Sequence, residues 1–300
     1  MHTHGSGATD SMTEEKPPGR FRDLVDLGKP RITLLVLFTS AVGLWMAPGT
    51  LGAVRTVVFL LATSCLVASA NTLNCFVERE TDGRMRRTRN RPLPAGRMDS
   101  RLALVAGLTE GFVALVALAW ATNGLTFALG LLALATYVLV YTPLKRVRWW
   151  AVIVGAVPGA IPPLMGWTAV TGVLATPGWV LFGILFLWQL PHFIAISLYL
   201  KEDYRRGGLQ VLPVAFGDAA ARRHLFAYTV LLVLVSLTAP PLGLAGPAYL
   251  VTAALLGAGF LYVAGGGLRP SVKSAWARRA FAYSLIYLPV LIAVLVLDAR

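Results

Sequence analysis

The sequence predicts an all-α polytopic membrane protein of about nine transmembrane helices, and three observations carry that reading. Charged residues make up only 14% of the 300-residue chain, against about 25% in soluble proteins. Mean hydropathy is +0.67, and 56% of residues belong to the AVILMFWYC set. The apolar stretches run to about 20 residues, the length that crosses a hydrocarbon layer of roughly 30 Å. They fall near 30–48, 54–77, 102–121, 125–142, 151–172, 176–200, 225–241, 246–265 and 280–298, separated by Pro/Gly or charge clusters.

Ahead of the first window, residues 1–28 are polar, with Asp10, Glu14, Glu15 and the breaker Pro17-Pro18-Gly19. They read as a disordered cytoplasmic tail preceding a transmembrane domain at 29–300. The tail lacks the short apolar core of a signal peptide and the Arg-rich, acid-poor character of a transit peptide, so the first span is expected to be retained. His2 and His4 lie in this tail and do not make a zinc site. Cys65 and Cys75 sit on one apolar segment, about 15 Å apart along a helix, too far for a disulfide and more in keeping with small buried residues.

Net charge is +13, from 27 Lys and Arg against 14 Asp and Glu. No basic soluble domain is present to bind nucleic acid. Of the 27 basic residues, 25 fall on one side of the predicted spans, Arg55 and Arg300 being the exceptions. The positive-inside rule then places the N-terminus in the cytoplasm and the C-terminus outside. Connections on the outer side are short, as at Thr122-Asn123-Gly124, whereas those after the second and sixth helices are expected to run over about 20 residues. These two carry seven of the 14 acids: Glu78, Glu80, Asp82, Asp99, Glu202, Asp203 and Asp218. Their correspondence suggests two four-helix halves around a central cavity plus one extra helix.

The chemistry concentrates at the end of the second helix. Asn74, Glu78 and Asp82 recur at i, i+4 and i+8, which puts an amide and two carboxylates on one face; Asn71 joins them and Glu80 points away. Salt bridging to Arg84, Arg86, Arg87, Arg89, Arg91 and Arg97 on a solvated loop is one explanation. A site for Mg²⁺ and phosphate is the other, because hard oxygen ligands completed by phosphates and water hold that ion. Polar groups where an apolar helix leaves the bilayer are costly unless they face a cavity, which favours the second. The sixth helix carries Trp188-Gln189-Leu190-Pro191-His192-Phe193 and is followed by Lys201, Asp203, Tyr204 and Gly207-Gly208, again a carboxylate beside a cation. His192 reads either as a hydrogen-bonded core residue or as a substrate contact. Tyr141 and Lys145 close the fourth helix beside Arg146, and Lys29-Pro30-Arg31 opens the first; four segments converge on one anionic ligand.

This pattern resembles the UbiA superfamily of intramembrane prenyltransferases. Asn74-x-x-x-Glu78-x-x-x-Asp82 matches its first motif, and Tyr141-x-x-x-Lys145 matches the motif after helix four. Within the superfamily the likeness is strongest to the heme-farnesylating branch. It is carried by Lys29 to Thr33, Met85 to Pro94, Gly159 to Trp167, Trp188 to Phe193, and Lys201-x-Asp203-Tyr204 followed by Leu212-Pro213. The family usually has Asp where this chain has Glu78 and Glu80, which lengthens the reach by one methylene, and the second motif has one well-placed Asp. The resemblance implies farnesyl diphosphate as donor and heme b as acceptor. It implies Mg²⁺ on Asn74, Glu78, Asp82 and Asp203, with Lys201 in the catalytic set. Arg31, Asn71, Arg86, Arg87, Arg91, Tyr141, Lys145, Arg146 and Tyr204 would bind substrate, and Trp188 and His192 would face the porphyrin. It leaves room for a partner such as heme A synthase or an oxidase-assembly factor, and because no transit peptide is visible a bacterial inner membrane is expected rather than a mitochondrial one. The rivals are an enzyme acting on a quinone precursor or chlorophyllide, which the diphosphate site does not distinguish, and a secondary transporter. The transporter's mark would be an ionisable residue near the midplane, where Glu110 lies.

Overall fold

The computed structural model describes residues 20–269, 272 and 275–299. The expected tail falls outside them up to residue 19, as does Arg300. Eight helices among the described residues are long and apolar enough to cross a membrane, and a bent pair makes a ninth. That pair is α1 (Arg20–Leu27) and α2 (Pro30–Met46), joined at a 53° bend. The end of the expected tail is therefore helical, because Asp23 and Leu27 are buried and Arg97 grips Asp23 at 3.2 Å. Pro30 pre-sets the first turn of α2, having no N–H to lose there.

The remaining helices are α3 (Ala53–Arg84), α4 (Ser100–Ala121), α5 (Gly124–Ala135), the turn α6 (Thr142–Leu144), α7 (Ala151–Thr171), α8 (Thr176–Tyr199), α9 (Lys201–Arg206), α10 (Leu212–Ser236), α11 (Pro247–Gly266) and α12 (Ala275–Leu297). A π-helical segment, Thr136–Tyr141, joins α5 to α6 into one span. Asp99 caps α4 by accepting from the N–H groups of Arg101 and Leu102, and Asn123 caps α5 through the N–H of Thr126.

Three boundaries depart from the hydropathy windows. α3 runs to Arg84, about 48 Å for its 32 residues, so its polar end stands beyond the hydrocarbon layer while staying helical. α10 begins at Leu212 rather than near 225 and joins a short helical turn to a longer helix from Asp218 across a kink at the non-helical Gly217 (φ 82°); Asp218, Arg222 and Arg223 lower the local hydropathy of the longer piece without ending it. The second basic connection is accordingly only Leu200–Val211, with α9 inside it, and not about 20 residues. α12 likewise starts at Ala275, ahead of the window at 280.

α2 to α5 form one group and α7, α8, α10 and α11 the other, with α12 packed on α8 and α11. The groups meet where α2 and α5 cross α7. The α2–α7 crossing depends on two glycines. A Cβ on Gly43 would fall on the backbone of Pro163, and one on Gly166 would fall on Ser40 and Leu44. Helix association in lipid rests on such close approach, because the tails are as apolar as the helices. Below the crossing, Phe59, Leu66, Leu118, Leu164 and Met165 pack into a core. Because the helices alternate in direction, the basic ends of α2, α3, α4, α6, α7, α8, α10, α11 and α12 all lie at one end of the bundle; Arg55 is the one described Lys or Arg at the other.

A Gly166→Val substitution is expected to destabilise the protein by more than the roughly 1–3 kcal/mol of ordinary overpacking, because it strikes backbone. Gly124→Ala, which meets nothing within 4 Å, should leave stability within about 0.5 kcal/mol of the parent. Thermal aggregation midpoints in detergent read both.

Candidate active site

A cavity of about 340 Å³ opens at the basic end, between α2, α3, the π segment, α7 and α8. Its mouth is polar and its depth apolar, with Val36, Leu66, Leu134 and Met165 in the lower wall. The polar part is built on the overhang of α3. Asn71, Asn74, Glu78 and Asp82 all line the cavity from one helix face, and their side chains are buried.

Each of these groups is held by a neighbour from another element. Asn71 donates to the Gly28 carbonyl (3.3 Å), and Asn74 donates to Thr142 Oγ1 (3.1 Å) while accepting from Lys29 Nζ (3.2 Å). Lys145 pairs with Glu78 at 2.5 Å and Arg91 with Asp82 at 2.6 Å. Glu78 Oε1 has the ammonium beside it but not at hydrogen-bonding angles. Burial pulls the Lys145 ammonium down to about 7, with the nearby Lys29 charge contributing next; the Glu78 carboxylate opposes that cost, and so would a bound anion. Lys29 reaches the site from a left-handed backbone (φ 51°), an unusual conformation for a residue with a Cβ, which turns its side chain inward between α1 and α2.

Five cations line the cavity (Lys29, Arg87, Arg91, Lys145, Arg148) against two carboxylates (Glu78, Asp82), leaving an excess of three positive charges. The Tyr141 ring packs at a tilt against Tyr137, with centroids 5.4 Å apart, and its centroid lies 5.2 Å from Lys145 Nζ. Tyr204 lies under Arg87 at 5.8 Å. Burial raises its phenol above the ordinary value, so it stays a neutral donor.

The predicted residues divide. Asn71, Asn74, Glu78, Asp82, Arg87, Arg91, Tyr141, Lys145 and Tyr204 come together in the cavity wall. The others do not line it. Arg31 and Arg86 are exposed, and Arg146 donates to the Val77 carbonyl at 2.7 Å. Lys201 is engaged outside by Asp218 at 2.7 Å. Asp203 accepts from the backbone N–H groups of Arg86 (2.7 Å) and Arg87 (3.3 Å), so it fastens the two basic loops together rather than facing the cavity. Trp188 and His192 occupy the opposite face of α8. The Trp188 indole donates to the Ser284 carbonyl (2.7 Å), and His192 Nδ1 lies 2.8 Å from Ser284 Oγ on α12. The face of α8 turned to the cavity carries Gln189, Phe193, Ile196 and Ser197, an i, i+4, i+7, i+8 pattern that periodicity within the motif could have identified. Glu110, the transporter's expected mark, is half-buried on α4 and outside the cavity wall.

Among the described residues no three His, Cys, Asp or Glu side chains converge as a ready metal cage. The donor set fits Mg²⁺ nevertheless, for Glu78, Asp82 and Asn74 offer oxygen ligands on one face, and Mg²⁺ takes its remaining ligands from phosphates and water. Asp203, tied by two backbone donors, is not part of that face.

Replacing Asp203 with Ala removes two charge-assisted hydrogen bonds, worth about 1.5–3 kcal/mol each, and should free the loop at Met85–Arg91. Limited trypsin digestion in detergent is expected to cut there at least about tenfold faster than in the parent, whereas Lys201→Met should leave cleavage of that loop unchanged.

Residues 36–286 match the family model of the UbiA prenyltransferase family. A protein of Anaeromyxobacter dehalogenans named protoheme IX farnesyltransferase is 52% identical over 288 residues, 96% of this chain and 97% of that protein. A protein of the same name from Myxococcus xanthus is 51% identical over 284 residues, 95% and 97% of the two chains. Among solved structures, a digeranylgeranylglyceryl phosphate synthase superposes with a TM-score of 0.79 at 16% identity, covering 93% of this chain and 98% of that one. A UbiA homolog from Archaeoglobus fulgidus bound to GPP and Mg²⁺ gives 0.65 at 17% identity, with 91% and 99% covered. At those identities the structures bear on the fold, and the fold is that of an intramembrane prenyltransferase. With a family match across most of its length and full-length relatives at half identity, the chain belongs to the UbiA prenyltransferase family.

Proposed function

We propose that this protein transfers a farnesyl group from farnesyl diphosphate to a vinyl group of heme b, giving the hydroxyethylfarnesyl product heme O for terminal oxidases. The observation that carries the transfer is the vertical order of the cavity: cations and carboxylates at the membrane edge, apolar walls beneath. A prenyl diphosphate has the same order. The choice of heme b as acceptor follows the name shared by relatives about half identical over nearly the whole chain.

In this reading the diphosphate lies at the mouth. Lys29, Arg87, Arg91, Lys145 and Arg148 neutralise it, and Asn71 and Tyr204 supply neutral donors to its oxygens. Mg²⁺ would be held by Asn74, Glu78 and Asp82 and would supply further charge neutralisation for the departing pyrophosphate. Lys145 and Arg91, now paired with Glu78 and Asp82, are placed to turn to the phosphate oxygens as those carboxylates change partners. Stabilising charge on the leaving group where it develops is worth several kcal/mol in a site shielded from water. The tail lies among Val36, Leu66, Leu134 and Met165, which keep bulk water from the allylic cation. Asp203 positions Arg87 by holding its backbone. The same reading places the protein in a bacterial inner membrane with its basic end, and so its N-terminus, in the cytoplasm and its C-terminus outside. An apolar product confined to the bilayer suits direct transfer to a heme A synthase or an oxidase-assembly partner.

The test is mass spectrometry of porphyrin products after incubating the purified protein in detergent with heme b, farnesyl diphosphate and Mg²⁺. Heme O is expected in the complete reaction and not with EDTA. Asp82→Ala should lower the rate by at least about 10²-fold, and Glu80→Gln, on the exposed face, should act like the parent. Prenylation of a quinone precursor with no heme product would overturn the acceptor.

A further inference from the structure

One wall of the cavity, built by α7 and α8, brings Gln189 beside Pro158 and Gly159. Gln189 lies ten residues before the basic end of α8, about 15 Å below it. Its Nε2 donates to the carbonyls of Ala156 (3.2 Å) and Leu185 (3.1 Å), which uses both amide hydrogens and fixes the amide's orientation. Oε1 is thereby turned toward Gly159, where the absence of a side chain leaves it room. Among the described residues no group donates a hydrogen bond to it. Beside it, Pro162 and Pro163 have no N–H, so the carbonyls of Pro158 and Gly159 lose their helical donors. Pro158, Gly159 and Gln189 all line the cavity.

Oε1 is not sealed in protein but open to the cavity, so it is free to accept a hydrogen bond from a water or ligand that enters. Neither substrate carries a donor at its reacting carbons: a prenyl chain and a vinyl group have no O–H or N–H. The reaction does require one, because the product carries a hydroxyl that neither substrate had. We propose that Gln189 is the residue that positions the water which completes the reaction, accepting one of its O–H groups beside the carbonyls of Pro158 and Gly159. This rests on heme b being the acceptor.

The step balances as follows. The C1–O bond of farnesyl diphosphate breaks and its electron pair leaves with pyrophosphate. The vinyl π electrons form the new C–C bond to C1, which leaves a cation on the carbon next to the porphyrin ring. A lone pair of the held water closes on that carbon, and the proton released passes to pyrophosphate. Where no water is held, the cation instead loses a proton from the neighbouring carbon and the product is an alkene, lighter than heme O by one water.

The experiment compares the ratio of hydroxylated to dehydrated farnesyl heme in wild type, Gln189→Met and Gln189→Glu, in ordinary and heavy-oxygen water. Gln189→Met keeps the size and removes the acceptor; the ratio is expected to fall about tenfold, the effect of losing one hydrogen bond. Gln189→Glu keeps an acceptor oxygen and should stay hydroxylated. Wild type should carry the heavy label in the hydroxyl. Gly159→Ala, whose Cβ displaces Oε1, should shift the ratio in the same direction as Gln189→Met. An unchanged ratio in Gln189→Met, or loss of all turnover in both Gln189 variants, overturns the assignment. If wild type prenylates no heme at all, the acceptor reading falls and takes this inference with it.

Discussion

The two carboxylates at the edge of this membrane protein survive burial because each is answered by a cation from a different segment of the chain. Glu78 and Asp82 are almost fully buried, with side chains 4% and 1% exposed, and an unpaired charge in such a place would be prohibitively costly. Lys145 arrives from the end of the fourth span, Arg91 from the loop after α3, and Lys29 from the bend between α1 and α2. Removing Lys145 or Arg91 leaves a buried carboxylate on α3 without its counterpart. The convergence of these segments is thus required by electrostatics as much as by packing. The same arrangement leaves a positive excess, so an incoming diphosphate completes the site's charge balance rather than disturbing it.

Geometry below the mouth is set by irregular helices. The π segment Thr136–Tyr141 adds a residue to a turn and brings Tyr137 and Tyr141 into the cavity wall together. Such segments occur mostly at functional sites because they cost regular hydrogen bonding. On α7, three prolines and the glycines at 159 and 166 serve two ends. Gly166 lets α2 approach closely enough to join the two halves, while Gly159 and the proline pair open the backbone toward the cavity. A helix that is irregular on its inner face and closely packed on its outer one can hold the bundle together and still offer polar atoms to a reaction inside it.

One cavity carries charge at its mouth and apolar walls below. The mouth presents a positive excess, which suits the charge that any prenyl diphosphate carries. Below it, the amide of Gln189 and apolar side chains from α2, α3, α5 and α7 line the same cavity. Membership of the family rests on the match across residues 36–286 and on relatives about half identical over nearly the whole chain.

Much of this was legible in the chain. Hydropathy and the one-sided distribution of Lys and Arg determined a nine-span all-α bundle and which end is basic, because burial in lipid imposes length and charge rules on each span separately. The i, i+4, i+8 spacing determined that Asn74, Glu78 and Asp82 share a face, because helical geometry is local. Which partners those residues meet was decided only by the tertiary structure. Asp203 looked equivalent to Asp82, yet its carboxylate is taken by the backbone of the opposite loop. His192 and Trp188 looked like site residues, yet α8 is rotated so that Gln189 and Phe193 face inward. A sequence displays every polar residue near the mouth with equal weight; the rotation of each helix about its axis, set by packing against α7 on one side and α12 on the other, selects which of them reach the cavity.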